Sequence, residues 1–437
     1  MMNEIALTVL LILSLIVLLG AGLWIGLSLM GVGLLAMVAF TSRPVGDAMA
    51  TTIWAHTSLW GLASLPIFIW MGEILFRTRL SQSLFNGLGP LLRRMPGGLL
   101  HVNTMGCATF AAVSGSSAAT LATIGKITVP ELRKHGYPDM MSYGTLAGAG
   151  TLGLLIPPSI TMIVYGVTVQ ESIGRLFMAG ILPGLMLAGL FVGYVMCWGL
   201  FTEEGKKLRE KKSSWAEKLA GIVELSPIVG LIVVVIGSIY TGIASPTEAA
   251  VVGVLGALGL SALQGSLNWQ NFKSSLMGAT KTTSMIMLLL AGSAFLTLAM
   301  GFTGLPRALA DWIGAMNLSP WMLIAALTVF YIILGMFLDG ISAIILTMAV
   351  IEPLVRGAGI DMIWFGIFVV LVSEMAMITP PVGFNLFLVQ SMTGRDIGFI
   401  AKAAVPMFLL MVVAVVLLTA FPQIALWLPE VMTKNNS

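Results

Sequence analysis

The chain is constrained most by two polar interruptions inside otherwise apolar sequence. Ser114–Thr120, rich in hydroxyl groups and small residues, precedes the proline pair Pro157-Pro158, and a looser copy follows as Asp339–Ala343 and Pro380-Pro381. Proline breaks the hydrogen bonding of a helix, and lipid cannot satisfy the freed backbone or the hydroxyl groups. Each interruption must therefore be enclosed by other parts of the protein.

The composition sets the class of protein. Of 437 residues, 58% are hydrophobic and 9% charged, against roughly 25% charged in soluble domains. We therefore predict an all-α polytopic membrane protein whose first apolar run is a retained span rather than a cleaved signal. The net charge of +3 indicates no nucleic-acid partner. Cys107 and Cys197 lie too far apart in sequence to predict a disulfide framework or a zinc site.

The lengths of the apolar runs predict how the chain is divided. The two runs that meet at Ser114–Thr120 are each short for a crossing, which is typical of a re-entrant hairpin, and the third crossing is predicted as one span at 53–76. The predicted first half consists of N-terminal scaffold spans in 1–76, an amphipathic arm at 77–96 and a first transport repeat at 97–202, which contains a hairpin at 97–129 and a broken helix at 140–172. A cytoplasmic loop and scaffold spans follow at 203–280, and then a scaffold span and second arm at 281–318. The second transport repeat is predicted at 319–427, with a hairpin at 319–356 and a broken helix at 361–392.

The distribution of basic residues predicts the orientation. If the hydrophilic segment 203–218 is cytoplasmic, 17 Lys and Arg residues fall inside and 5 outside, as the positive-inside rule requires. The first hairpin then enters from the cytoplasmic side and the second from the opposite side. Asp139 and Gly144 match Asp361 and Gly366 at an offset of 222. The chain is therefore predicted to contain inverted-topology repeats, which in secondary transporters flank a midplane site built from discontinuous helices.

The first repeat offers hydroxyl and carbonyl oxygens, which suit a dehydrated hard cation such as sodium. The alternative is that these small residues only let helices pack closely. The predicted sodium or substrate residues of this repeat are Ser114, Gly115, Ser116, Ser117, Thr120, Gly153, Pro157 and Pro158.

The second repeat adds carboxylates. Asp339 either faces a bound cation or caps the helix that follows it, and the sequence does not separate these readings. Glu374 is either a cation or proton site or a buried group paired within the bundle. The predicted sodium or substrate residues of this repeat are Asp339, Gly340, Ser342, Glu374, Thr379, Pro380, Pro381, Gly383 and Asn385.

Four motifs together carry a family likeness. Leu65–Gly72, Ser114–Thr120, Leu155–Ser159 and Thr379–Asn385 resemble, in this order, the large membrane subunit of tripartite ATP-independent periplasmic (TRAP) transporters. The resemblance implies a bacterial or archaeal inner-membrane symporter with an elevator-type ion-transporter-like fold, driven by sodium as coupling ion and using no other cofactor. It also implies organic-acid substrates such as C4-dicarboxylates, sugar acids or sialic acid. The implied partners are a separate small four-helix membrane subunit and a soluble periplasmic substrate-binding protein.

The two alternative functions are a stand-alone carrier and an intramembrane serine hydrolase. A stand-alone carrier that needs no binding protein is compatible with the residues alone. An intramembrane serine hydrolase using Ser116 or Ser117 would need a base within hydrogen-bond reach. We expect the three histidines, His56, His101 and His135, to lie near the membrane surfaces, so the chain is not predicted to be an enzyme.

Overall fold

The computed structural model describes residues 4–78, 80–208, 214–304 and 319–435, and these residues are helical with no strand. The predicted all-α class is confirmed. In chain order the helices are α1 (Glu4–Gly20), α2 (Ile25–Phe40), α3 (Val45–Thr57), α4 (Ser64–Arg77), α5 (Leu80–Leu92), α6 (Leu100–Ser114), α7 (Ser117–Lys134), α8 (Asp139–Gly150), α9 (Leu152–Leu155), α10 (Ile160–Thr168), α11 (Ile173–Phe201), α12 (Glu203–Lys207), α13 (Trp215–Tyr240), α14 (Pro246–Leu263), α15 (Trp269–Thr303), α16 (Pro320–Gly335), α17 (Gly340–Gly357), α18 (Met362–Met377), α19 (Phe384–Thr393), α20 (Ile397–Ala420) and α21 (Gln423–Asn435).

Among the described helices, six are long and apolar enough to cross a membrane, or up to eight if two bent pairs each count as one span. One bent pair is α3 with the segment Trp60–Arg77, at an angle of 59°. The predicted span at 53–76 is therefore not one helix, because α3 extends from Val45 to Thr57 and the chain bends before Trp60. No residue of α3 is fully buried, although Val45, Ala48 and Met49 pack partly buried against the hydrophobic core.

The first hairpin consists of α6 and α7, joined at Gly115 and Ser116. Gly115 ends α6 with φ +59°, a left-handed conformation that favours glycine. Ser116 caps α7, since its side chain accepts a hydrogen bond from the amide of Ala119. The amide of Ile160 donates to the Gly115 carbonyl at 3.4 Å. The tip of this hairpin is thus attached to the first broken helix.

The two broken helices interrupt their spans at the proline pairs. The first consists of α8, α9 and α10, with a cis peptide bond between Pro157 and Pro158, and its two parts are bent by 43°. The second consists of α18 and α19, with a cis bond between Pro380 and Pro381. Each proline pair follows its hairpin, the second hairpin being α16 and α17.

The helices pack in two groups. We call α2, α4, α5, α13, α14 and α15 the frame, because these helices pack extensively on one another. We call the two hairpins, the two broken helices, α11 and α20 the hairpin group. The predicted first arm corresponds to α5, which packs along α13 of the frame. The predicted second arm falls mainly on 305–318, outside the described residues.

Close backbone contacts at glycine hold the hairpin group together. A Cβ atom at Gly144 on α8 would overlap the carbonyl oxygen of Ala403 on α20. One at Gly153 would lie 2.6 Å from the Ser116 carbonyl oxygen. Because backbone atoms cannot rotate away as a side chain can, these positions accept only glycine without a shift of a whole helix.

We expect Gly144→Ala to lower the free energy of unfolding by about 1–3 kcal/mol, because the added methyl group forces α8 and α20 apart. The measurement is the unfolding transition of the purified protein in detergent. Gly189→Ala on α11 is the matched control, since a Cβ there meets nothing within 4 Å. Equal stability of the two variants would contradict the packing described for α8 and α20.

Candidate functional site

A buried hydrogen-bonded cluster joins the first hairpin to both broken helices. The Ser117 hydroxyl lies 3.0 Å from the Gly150 carbonyl oxygen and 3.0 Å from Glu374 Oε2, and the Asn385 side-chain amide donates to it at 2.9 Å. Ser117, Glu374 and Asn385 are each at most 2% exposed. A serine hydroxyl carries one hydrogen, so Ser117 donates to only one of its two oxygen partners at a time.

Two oxygen atoms of these residues are buried and have no hydrogen-bond partner within the described part of the chain. They are Glu374 Oε1 and Asn385 Oδ1. Burying such atoms without a partner is costly, particularly for a carboxylate. The cluster therefore offers more acceptor capacity than the surrounding side chains and backbone use.

Sequence reasoning named Ser117, Glu374 and Asn385, and the structure brings these three together. The Gly150 carbonyl was not predicted. It had no signal in the sequence, since a backbone oxygen becomes a partner only through the way helices pack.

The other predicted residues of the first repeat shape the tip. The hydroxyl groups of Ser114 and Thr120 lie 2.7 Å apart and are hydrogen-bonded to each other. Gly115 leaves no room for a side chain, because a Cβ there would lie 2.8 Å from the Pro158 carbonyl oxygen. The first tip and the first proline break therefore pack backbone against backbone.

The second tip approaches the same break from the other side. A Cβ at Gly340 would lie 3.3 Å from Ser373 Cβ and 3.8 Å from a methyl carbon of Leu154. Because Gly153 contacts the first tip at Ser116, two neighbouring residues of one break contact the two opposed tips. The two hairpins thus converge on the first broken helix.

Asp339 does not join the cluster. It is the N-cap of α17, and its carboxylate accepts hydrogen bonds from the amide and the hydroxyl of Ser342. Of the two roles that the sequence left open for Asp339, capping of the helix is the one seen in this structure. A role for Asp339 and Ser342 in cation binding stays a prediction.

The second proline break differs from the first in exposure. Pro380, Pro381 and Val382 are exposed, whereas Pro157 and Pro158 are buried. The hydroxyl of Thr379 donates to the Met375 carbonyl at 2.7 Å, within its own turn. Gly383 adopts φ +50° at the start of α19 and lets Asn385 turn inward. The second break is therefore open on one side, and Asn385 is its contribution to the cluster.

The ligand types of the cluster match a hard monovalent cation. No group of three or more His, Cys, Asp and Glu residues that could hold a metal ion occurs within the described ranges. The buried oxygens instead comprise one carboxylate, one amide, one hydroxyl and a backbone carbonyl. Sodium accepts such a mixed set of oxygens, whereas zinc prefers nitrogen and sulfur.

In the described structure, the hydrogen bonds of the three histidines do not reach the first hairpin tip. His56 and His135 bond carbonyl groups of their own helices. His101 is fully buried and bonds the Pro96 carbonyl at 2.7 Å. Its position near a membrane surface stays a prediction. The described hydrogen bonds of Ser116 and Ser117 include no histidine. These hydrogen bonds therefore supply no histidine base to a serine nucleophile at this tip.

Residues 12–424 match the family described as tripartite ATP-independent periplasmic transporter, DctM component. The chain belongs to this family. The resemblance predicted from the four motifs is thereby confirmed. The family assignment identifies the chain as the large permease subunit of a membrane transporter rather than an enzyme.

Two curated relatives of this DctM-family chain differ in their named substrates. The C4-dicarboxylate TRAP transporter large permease DctM of Pseudomonas aeruginosa is 32% identical over 91% of this chain and 92% of that protein. The ectoine TRAP transporter large permease TeaC of Halomonas elongata is also 32% identical, over 84% of this chain and 86% of that protein. Overall identity therefore does not separate these two substrates.

A solved structure shares the fold. The YdaH transporter of Alcanivorax borkumensis aligns with a TM-score of 0.62 and 14% identity, over 85% of this chain and 87% of that one. At this identity the likeness concerns the fold alone.

We expect the cluster to be energetically coupled. In a double-mutant cycle, Ser117→Ala and Asn385→Ala should show an interaction energy of about 0.5–3 kcal/mol in unfolding free energy, because each change removes the same hydrogen bond. Ser391→Ala, at an exposed serine of α19, is the control and should be additive with Asn385→Ala. Additivity of the Ser117 and Asn385 changes would show that their hydrogen bond contributes nothing.

Proposed function

We propose that the chain is the permease subunit through which a sodium gradient drives the uptake of an organic acid. The observation that carries this proposal is the Ser117, Glu374 and Asn385 cluster with its unpartnered oxygens. It lies where the first hairpin meets both broken helices, which is the place at which inverted-repeat transporters bind their ions.

Sodium would be held by Glu374, Asn385 and Ser117 together with the Gly150 carbonyl. A charged side chain in the middle of a membrane costs roughly 2.5–3.5 kcal/mol on insertion scales. A bound cation offsets this cost, because it supplies the positive charge that Glu374 otherwise lacks. Glu374 forms no ion pair within the described residues, where the ion pairs involve other carboxylates.

The remaining predicted positions would act on the shape of the site. Gly115, Gly153 and the two proline pairs allow close backbone approach and interrupt the helices. Ser114, Ser116 and Thr120 stabilise the first tip, whereas Asp339, Gly340 and Ser342 form the second. Closure of the site by both tips would exclude water from the ion.

We infer an organic acid as substrate, with the amino ends of helices as its binding groups. Four helices begin at the tips and breaks: α7 at Ser117, α10 at Ile160, α17 at Gly340 and α19 at Phe384. The amino end of a helix attracts anions through its free amide groups and its dipole. Because relatives of equal identity are named for different compounds, we infer that the periplasmic binding protein selects the particular acid.

In this proposal the hairpin group is the transport domain and the frame is the scaffold. The hairpin group would carry its site across the inner membrane of a bacterium or archaeon by moving against the frame. A separate small four-helix subunit and a periplasmic binding protein would complete the transporter. The division of the helices into two packing groups supports this elevator mechanism.

The test is uptake into proteoliposomes that contain both membrane subunits and are supplied with the binding protein. We expect uptake to require an inward sodium gradient. Ser117→Ala should raise the sodium concentration for half-maximal uptake about tenfold, equivalent to about 1.4 kcal/mol of lost binding energy. Ser391→Ala should leave it unchanged.

Two outcomes would overturn parts of this proposal. Undiminished uptake without sodium would show that sodium is not the coupling ion. Full uptake by the large subunit alone would favour the stand-alone carrier, which needs no binding protein.

A further inference from the structure

We propose that Phe68, Gly72 and Phe76 form the face of α4 along which the first hairpin moves, and that Gly72 holds the hairpin tip in the present state. We call these three residues the α4 stripe. The proposal rests on the proposed movement of the hairpin group against the frame. It assigns a role to the Leu65–Gly72 motif, which the ion and substrate site does not use.

The three residues lie four positions apart, so they share one face of the helix. Each contacts a different element of the hairpin group. The Phe68 ring packs edge-on against Phe177 of α11, with 5.9 Å between ring centres. The Phe76 ring faces the Lys126 ammonium of α7, which lies 5.5 Å from the ring centre. Gly72 lies between them, against the first hairpin tip.

The other faces of α4 are attached to the frame. The Trp70 indole donates to the hydroxyl of Ser275 on α15 at 3.2 Å. Met71 packs against Gly253 of α14, and α4 contacts both of these helices extensively. The helix is therefore fixed on one side and presents the α4 stripe on the other.

The contact at Gly72 is made by backbone. A Cβ atom there would lie 3.0 Å from the carbonyl oxygen and 3.2 Å from the Cα of Ser114. Neighbouring members of the stripe are about 6 Å apart along the helix axis. The tip therefore lies in a gap between two phenyl rings, and it must pass one of them to move along α4. This arrangement favours discrete positions over continuous sliding.

The contact also reaches the site. Ser114, the residue against Gly72, is hydrogen-bonded to Thr120 on α7, the helix that begins at Ser117. Displacing the tip from Gly72 therefore displaces the helix that holds the Ser117 hydroxyl. Gly72 is a positioning residue, since it touches the hairpin and not the ion or substrate.

The test is a reversible cross-link in a chain carrying Cys107→Ala and Cys197→Ser. Gly72→Cys and Ser114→Cys should form a disulfide on oxidation, because the Cβ at position 72 lies beside the backbone of position 114. Uptake by the reconstituted complex should fall at least tenfold in the oxidised form and return on reduction. Comparing two redox forms of one protein removes any effect of the substitutions on folding.

The matched control is a cross-link within the frame. A Cβ at Gly221 of α13 would lie 3.5 Å from the Cα of Gly87 on α5. Gly87→Cys with Gly221→Cys should also cross-link, and uptake should differ less than twofold between its oxidised and reduced forms, because both residues belong to the frame. A block by this pair as well would mean that cross-linking stops transport wherever it is placed, and would overturn the assignment to Gly72.

A second series does not depend on cysteine. Gly72→Leu should slow maximal uptake at least tenfold and also raise the sodium concentration for half-maximal uptake, because the added side chain excludes the tip and thereby shifts the helix that holds the Ser117 hydroxyl. Gly230→Leu on α13, where a Cβ meets nothing within 4 Å, should behave as the parent.

The outcomes separate this proposal from the one on which it rests. Failure of the Gly72 and Ser114 pair to cross-link, or full uptake by its oxidised form, would overturn the role of Gly72 while leaving sodium-dependent uptake intact. Sodium-independent uptake by the parent chain would instead overturn the coupling, and the cross-linking result would still report on the movement of the tip.

Discussion

The rest of the structure depends on the buried contact between the Ser117 hydroxyl and the Glu374 carboxylate. Glu374 is fully buried and, within the described structure, forms no ion pair with a basic side chain, so the protein must bring polar groups to it. Ser117 comes from a hairpin that enters the membrane from one side, and Asn385 comes from beyond a helix break. Re-entrant hairpins and broken helices place such groups at mid-depth while keeping most of the backbone helical.

Bringing four helices together around the Ser117 hydroxyl requires close packing. Glycine makes this possible, because contacts at Gly144, Gly153 and Gly115 are between backbone atoms. Without a hydrophobic driving force between helices in lipid, association relies on van der Waals contact and hydrogen bonds, and close approach strengthens both. At Gly72 the close backbone approach that glycine allows occurs between the hairpin group and the frame. If the two groups move against each other, as proposed, this contact has to be reversible.

Much of this architecture could be predicted from the sequence, because polar residues and prolines within apolar runs are conspicuous. The two tips, the two breaks and three residues of the cluster were found in this way. The bend between α3 and α4 could not be predicted, since no proline marks it between Thr57 and Ser64. The Gly150 carbonyl and the unequal exposure of the two breaks arise from packing between distant segments. Residue type left the two roles of Asp339 open, because a capping aspartate and a cation ligand look alike in sequence.

The single hydroxyl hydrogen of Ser117 makes its two contacts mutually exclusive. When it points to Glu374, the Gly150 carbonyl loses it, and the reverse holds when it points to Gly150. Any charge placed beside the free oxygen of Glu374 alters how strongly that carboxylate competes for the hydrogen. A cation bound beside Glu374, as proposed above, would therefore change which of the two broken helices receives the Ser117 hydrogen bond, without displacing any backbone.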